Sequence, residues 1–189
     1  MPIPMPPPSP TMEQHPSLWH LTLRLANPAD ESFLFGLFAE EKAVHFAALG
    51  LARSQLGPLL EMQYRARCVG YQSSFPNATQ WVIVDPVAGP IGQLLRNDEP
   101  QVIRLMDISL VPSVRARGIG TQILSALQGE AARAGKRIEL QVAAGAPARR
   151  LYLRLGFATQ SGDPVTEQMA WSSTELPTPM ETQPTSSPA

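Results

Sequence analysis

Three segments in a row, within residues 103–134, constrain this chain more than any other feature: an apolar run, a glycine turn and a helical run. The apolar run is Ile103 to Val111. Pro112 follows, then Arg-Ala-Arg-Gly-Ile-Gly from Arg115 to Gly120, and Thr121 to Ala134 reads as a helix. A strand therefore ends, turns on glycine and opens a helix. Such a turn aims free backbone N–H groups and the positive end of the helix dipole at one point, which suits a phosphate or pyrophosphate. Gly118 and Gly120 have no Cβ atoms to hold a bulky anion away. Spacing excludes two common phosphate motifs. A dinucleotide fingerprint needs glycine or alanine at 123, which is Ile123, and a P-loop needs Gly-Lys-Ser/Thr, but no lysine lies here.

The next segments narrow the reading. Lys136 to Val142 (KRIELQV) has the length and composition of a buried strand, and Ala148 to Phe157 (ARRLYLRLGF) reads as a helix closing on glycine. The first pattern, strand then Pro112 then Arg-x-x-Gly-x-Gly, resembles the pyrophosphate loop of the GCN5-related N-acetyltransferase (GNAT) family. ARRLYLRLGF resembles that family's second signature, a tyrosine-bearing helix ending in Leu-Gly-Phe, in the right order and about 30 residues downstream.

The resemblance implies an α/β (α+β) fold, with a GNAT-like mixed, mostly antiparallel central sheet of about 6–7 strands flanked by about four helices. It implies acetyl-CoA as cosubstrate and no metal. By resemblance, Ile108, Leu110 and Val111 contact the acetyl and pantetheine arm through their backbone. Arg115, Ala116, Arg117, Gly118, Ile119, Gly120 and Thr121 hold the pyrophosphate, and Tyr152 is the general acid at the thiol sulfur. Family members often carry an asparagine where this chain has Ala146, so one cofactor-positioning hydrogen bond is absent here.

Amide formation from a thioester also needs the amine to arrive neutral. Asp107 is an acid in an otherwise apolar strand, and an isolated buried carboxylate is costly, so it is expected to face a cleft or a partner. It is a candidate base or amine anchor, with structural acceptor as the alternative. Glu40, Glu41 and His45 fall in a segment, 40–52, that has no clear periodicity and where such proteins build the acceptor pocket.

Composition bounds the rest. Seven of the 20 prolines lie in the first 16 residues and four in the last 13, beside Ser, Thr and Gln. Residues 1–16 and 174–189 are therefore expected to be disordered tails around a domain at 17–173. No signal peptide or membrane span is evident, and the lone Cys68, expected as a buried helix residue, makes no internal disulfide, so the chain is expected in the cytoplasm. Residues 103–157 hold nine Arg or Lys against three acids, and the remainder six against thirteen. A basic segment around the glycine turn suits a polyanionic cosubstrate. No lysine-rich or aromatic-basic pattern points to nucleic acid.

The remaining elements follow from periodicity and punctuation. A strand is expected at Trp19–Leu25, a helix from Asn27-Pro28 to about Ala39, a second helix at about 56–71, and strands at Gln80–Val84 and Ile91–Arg96. Further strands are expected from Gly156-Phe157 and at Val165–Trp171. The functional expectation is an N-acetyltransferase that passes acetyl directly to a primary amine, on a small molecule or a peptide, in a ternary complex. A homodimer is compatible with the chain. The alternative is a non-catalytic acyl-CoA-binding or protein-interaction module on the same fold.

Overall fold

Asn27 starts the first helical segment with a reciprocal cap. Its Oδ1 accepts from the Ala29 N–H at 2.9 Å, while Asp30 Oδ2 accepts from the Asn27 N–H at 2.9 Å. Two orphan donors are thereby satisfied at a helix start. In the computed structural model, which describes residues 20–47 and 56–173, the chain then runs on as follows. Strand β1 is Thr22–Leu25. A 3-10 turn at Pro28–Asp30 leads into α1, Glu31–Ala47, and α2 is Gly57–Ser74. Next come β2 (Ala78–Asp85), β3 (Gly89–Asp98), β4 (Val102–Leu110), a 3-10 turn (Pro112–Val114) and α3 (Ile119–Ala134). Finally come β5 (Arg137–Ala143), α4 (Pro147–Arg154), β6 (Ala158–Gly162) and β7 (Thr166–Trp171).

The expected order of elements is the observed one, with two shifts. The first helix extends eight residues beyond Ala39, because Glu40 to Ala47 contains neither glycine nor proline to stop it and Phe46 packs against the core under α2. The first strand begins at Thr22, and Trp19 lies outside the described residues. So do both Pro-rich tails and the side chain of His45.

The seven described strands form one sheet in the order β1-β2-β3-β4-β5-β7-β6. Every neighbouring pair is antiparallel except β4 and β5. This is the mixed, mostly antiparallel sheet with four helices that was expected.

Two hydrophobic layers sandwich the sheet. On one face α3 buries Ile119, Ile123, Leu124 and Leu127, the stripe anticipated from sequence, against Leu94, Ile103, Leu105 and Ile138, and α4 adds Tyr152. On the other face α1 and α2 bury Leu34, Phe38, Leu60 and Tyr64 over Val82. Helix α3 ends on Gly135, whose φ of +63° is the left-handed stop that glycine adopts at little cost; its N–H donates to the carbonyls of Ala131 and Ala132.

Two irregularities shape the middle of the sheet. Met106 is bulged: Leu95 pairs with Asp107, but Arg96 pairs with Leu105. At the other end of this ladder Gly92 permits a close approach, since a Cβ there would lie 2.5 Å from the Ser109 carbonyl oxygen.

Candidate active site

Parallel pairing between β4 and β5 covers only Val102–Leu105 against Arg137–Leu140. Beyond it, β4 stays paired with β3 as far as Leu110, and β5 stays paired with β7 as far as Ala143. The two strands therefore part at Leu105 and Leu140. One edge of β4, from Met106 to Leu110, is left without a strand partner and lines the opening.

The bulge at Met106 decides what faces that opening. Without it, Leu105 and Asp107 would share one face of the sheet. With it, Leu105 and Ile108 both pack toward α3 and α4, and Asp107 turns to the opposite face, under α2. Asp107 Oδ2 accepts from Arg67 Nη2 at 2.7 Å and also from Gln93 Nε2. Gln93 Oε1 in turn accepts from Gln80 Nε2 at 2.7 Å. Both bonds to Asp107 reach one oxygen, so Oδ1 is left for another donor. Burial pushes the Asp107 carboxyl above the usual carboxylate range; the Arg67 cation opposes that push, and the charge of Glu41 adds to it. The Arg67 guanidinium lies over the rings of Phe38 (5.6 Å) and Tyr71 (5.2 Å), which hold it in place.

Tyr152 approaches from the other layer. It is 7% exposed and sits edge-on to Phe157, with ring centroids 5.6 Å apart. Burial, with a second push from the Asp107 charge, raises its phenol to about 12. Tyr152, from the α4 side, and Asp107, from the α2 side, thus lie near enough for the carboxylate charge to act on the phenol. Buried oxygens without a hydrogen-bond partner also occur in these elements: Ser109 Oγ on β4 and Gln122 Oε1 on α3. Orphans of this kind call for a ligand or water to satisfy them.

The glycine turn opens α3 next to this point. Gly118, the N-cap, has φ +82°, and Ala116 stands in the left-handed region at φ +59°. The first N–H bonded back toward the cap is that of Gln122, to the Gly118 carbonyl at 3.0 Å. The N–H groups of Ile119, Gly120 and Thr121 donate to no described backbone acceptor outside the helix, which makes an anion cradle. Gly120 lets α3 lie close to α4, where a Cβ would meet Leu151 Cδ2 at 3.4 Å. Arg117 is exposed. Arg115 is exposed too, but its Nε donates to the Leu110 carbonyl at 2.7 Å and pins the turn to the end of β4. Val111 is similarly committed: its N–H donates to Ile91 and its carbonyl accepts from Val114. Backbone groups available at the opening thus belong to Ile108–Leu110 more than to Val111.

The other sequence candidates divide. Glu41 is exposed and 3.6 Å from Lys42, yet its charge reaches both Asp107 and Arg67, so it flanks the cleft. Glu40 is half-buried on the same helix. Ala146 is the N-cap of α4 and caps it with no side-chain hydrogen bond. Cys68 is half-buried rather than buried, because α2 turns it toward a cavity of about 370 Å³ that it lines with Phe38, Tyr64, Arg67, Tyr71 and Gln93. Arg67, Gln80 and Gln93 were not anticipated. Arg67 lies 40 residues from Asp107, and no local pattern marks it. Among the described residues no cluster of three or more His, Cys, Asp or Glu could hold a metal, and no helix is long and apolar enough to cross a membrane.

The residues present fit a coenzyme A thioester. Free N–H groups open α3, one edge of β4 stands without a strand partner, and a buried phenol lies on α4. Comparisons with known proteins agree with that fit. Residues 76–159 match the acetyltransferase (GNAT) domain family. No curated protein matches the chain in sequence. Among solved structures, the fold resembles the PaiA N-acetyltransferase of Thermoplasma acidophilum in complex with coenzyme A, with TM-score 0.62 and 16% identity over 80% of this chain and 98% of that one. It also resembles an acetyltransferase from Thermus thermophilus, with TM-score 0.59 and 19% identity over 80% and 96%. A third is a spermidine N-acetyltransferase SpeG chimera from Vibrio cholerae and hSSAT, with TM-score 0.55 and 17% identity over 80% and 94%. The domain match spans β2 to the start of β6 and takes in the glycine turn and the tyrosine helix, so residues 76–159 carry the match to the acetyltransferase (GNAT) domain, on a fold shared with GNAT structures.

Proposed function

We propose that this protein is an acetyl-CoA-dependent N-acetyltransferase that passes acetyl directly to a primary amine in a ternary complex. The observation that carries the reading is the parting of β4 and β5 at Leu105 and Leu140, with Asp107 on the β4 segment that parts and the free N–H groups at the start of α3, the helix that follows β4. Acetyl-CoA supplies a thioester, a carbonyl open to amine attack with a thiolate as leaving group. The N–H groups of Ile119, Gly120 and Thr121, with the Arg117 cation, hold the pyrophosphate. The free edge of β4 at Ile108–Leu110 holds the pantetheine arm and turns an N–H toward the thioester carbonyl. Asp107 Oδ1, directly or through water, takes the proton that the amine sheds; its raised pKa makes it a stronger base than an ordinary aspartate. Tyr152 keeps its proton at neutral pH, being pushed up to about 12, and donates a hydrogen bond to the departing sulfur.

The uncapped start of α4 at Ala146 favours one rival, a module that binds acyl-CoA without turnover. Thiol release from acetyl-CoA with a panel of primary amines separates the two. An enzyme turns over with at least one amine, and Tyr152→Phe lowers kcat by about 10²-fold while acetyl-CoA affinity stays unchanged. A protein that binds acetyl-CoA and transfers to no amine in the panel is the binding module, and the proposal fails.

A further inference from the structure

The sheet face under α2 carries more than the cavity beside Arg67. That cavity, of about 370 Å³, shares Tyr71 and Phe75 with a second of about 240 Å³ lined by Met106 and Gln141, where β4 and β5 part. The second shares Arg104 and Gln168 with a third of about 330 Å³ that reaches Gln160 and Ser161 on β6. The three form one groove from β3 to β6, four strand spacings wide, or about 19 Å. An extended chain of five or six residues, at about 3.3 Å each, has that length. The opening for the thioester lies along the groove and not at a blind end.

Two properties of the groove identify its occupant. Its charges and rings are already satisfied from within. Asp107 is paired with Arg67, and Glu139 with Arg104 at 3.1 Å. The rings of Phe38 and Tyr71 are faced by Arg67, and that of Phe75 by Arg104. Among the groove's described carboxylates only Glu31, exposed at the far mouth, has no ion pair. A polyamine or other polycation therefore finds few anchors. The groove is instead rich in side-chain amides. Gln141 on β5 and Gln168 on β7 are directly opposite one another, both exposed, and neither side chain bonds a described residue. Gln72 and Gln160 stand farther along the same path. A side-chain amide offers one acceptor and two donors, the complement of a peptide group.

We propose that this groove binds an extended, otherwise uncharged peptide segment that carries the acceptor amine, and that the Gln141–Gln168 pair reads its backbone. The inference rests on the N-acetyltransferase reading and gives it a substrate class.

The test compares acceptors at saturating acetyl-CoA. They are an uncharged hexapeptide whose only amine is its N-terminus, an N-terminally blocked hexapeptide with one central lysine, spermidine and an aminoglycoside. One of the peptides should exceed spermidine and the aminoglycoside in kcat/KM by at least about tenfold, and the double variant Gln141→Leu, Gln168→Leu should raise its KM about tenfold at unchanged kcat. The variant's acetyl-CoA affinity and melting temperature should match the wild type, since both glutamines are exposed. Preference for spermidine or the aminoglycoside overturns the inference and leaves the enzyme reading intact, as does a peptide KM indifferent to the double variant. Binding of acetyl-CoA with transfer to none of the four, or to any wider amine panel, overturns both.

Discussion

Asp107 shows how much of a side chain's chemistry is set by distant residues. The strand sequence marks it as an anomalous acid, but not which way it faces. The Met106 bulge turns it under α2, and Arg67, Gln93 and burial then fix its charge state. Neither the bulge nor a contact spanning 40 residues leaves a local pattern, so Asp107 could be nominated from sequence as a candidate base or anchor, but not its partners. Tyr152 is the opposite case, since its candidacy as general acid rests on a local pattern, ARRLYLRLGF. A carboxyl raised by burial is protonated, and inactive as a base, below its folded pKa. With Asp107 as base, kcat/KM should therefore rise with pH through a midpoint above the ordinary Asp value of about 4. Arg67→Ala removes the one cation that opposes the shift, so that midpoint should move to higher pH. Asp107→Asn should lower kcat by about 10²-fold and flatten this limb. A pH–rate profile of the three proteins checks it, and an acid limb that persists in Asp107→Asn would assign the limb to another group.

At the scale of elements, turns and caps were read well because their chemistry is local. Asn27-Pro28 and the glycine turn both stand where expected. The end of α1 was missed because residues 40–47 carry no stop signal and are held in helix by contacts with distant residues. Gly118→Ala places a Cβ at φ +82° and should cost about 1 kcal/mol of stability, with weaker acetyl-CoA binding, measured by urea unfolding and titration. Gly92→Ala is expected to cost more, about 2 kcal/mol or above, because its Cβ would meet backbone rather than a movable side chain. Asp30 gives a pH-dependent counterpart. Its carboxylate accepts both Arg24 guanidinium bonds at 2.7 Å and the Asn27 N–H, which hold it down at about 2. A depressed folded pKa stabilises the fold above the unfolded value, near about 4. That advantage fades as pH falls through about 2. Wild type should therefore exceed Asp30→Asn in urea midpoint at neutral pH, and the difference should shrink on acidification; a pH-independent difference would refute the pairing as its source.

For the whole molecule, strand order and layering follow from elements the sequence announces, since β-α-α-β-β-β-α-β-α-β-β leaves few ways to cover both faces of one sheet. What the order does not announce is where β4 and β5 part, because that depends on twist and on β7 inserting beside β5. The core on the α3 side should be the less forgiving. Leu124 is fully buried there, and Leu124→Ala should cost about 2–5 kcal/mol, read from the unfolding midpoint. The central claim is that the parted strands and the free N–H groups of α3 hold acetyl-CoA. Calorimetric titration of the wild type beside Gly120→Glu tests it most directly, with thermal melting as the control for folding. The predicted result is micromolar binding by the wild type and its loss in a variant that melts as the wild type does. Absence of binding by the wild type, or equal binding by a folded Gly120→Glu, would contradict the claim.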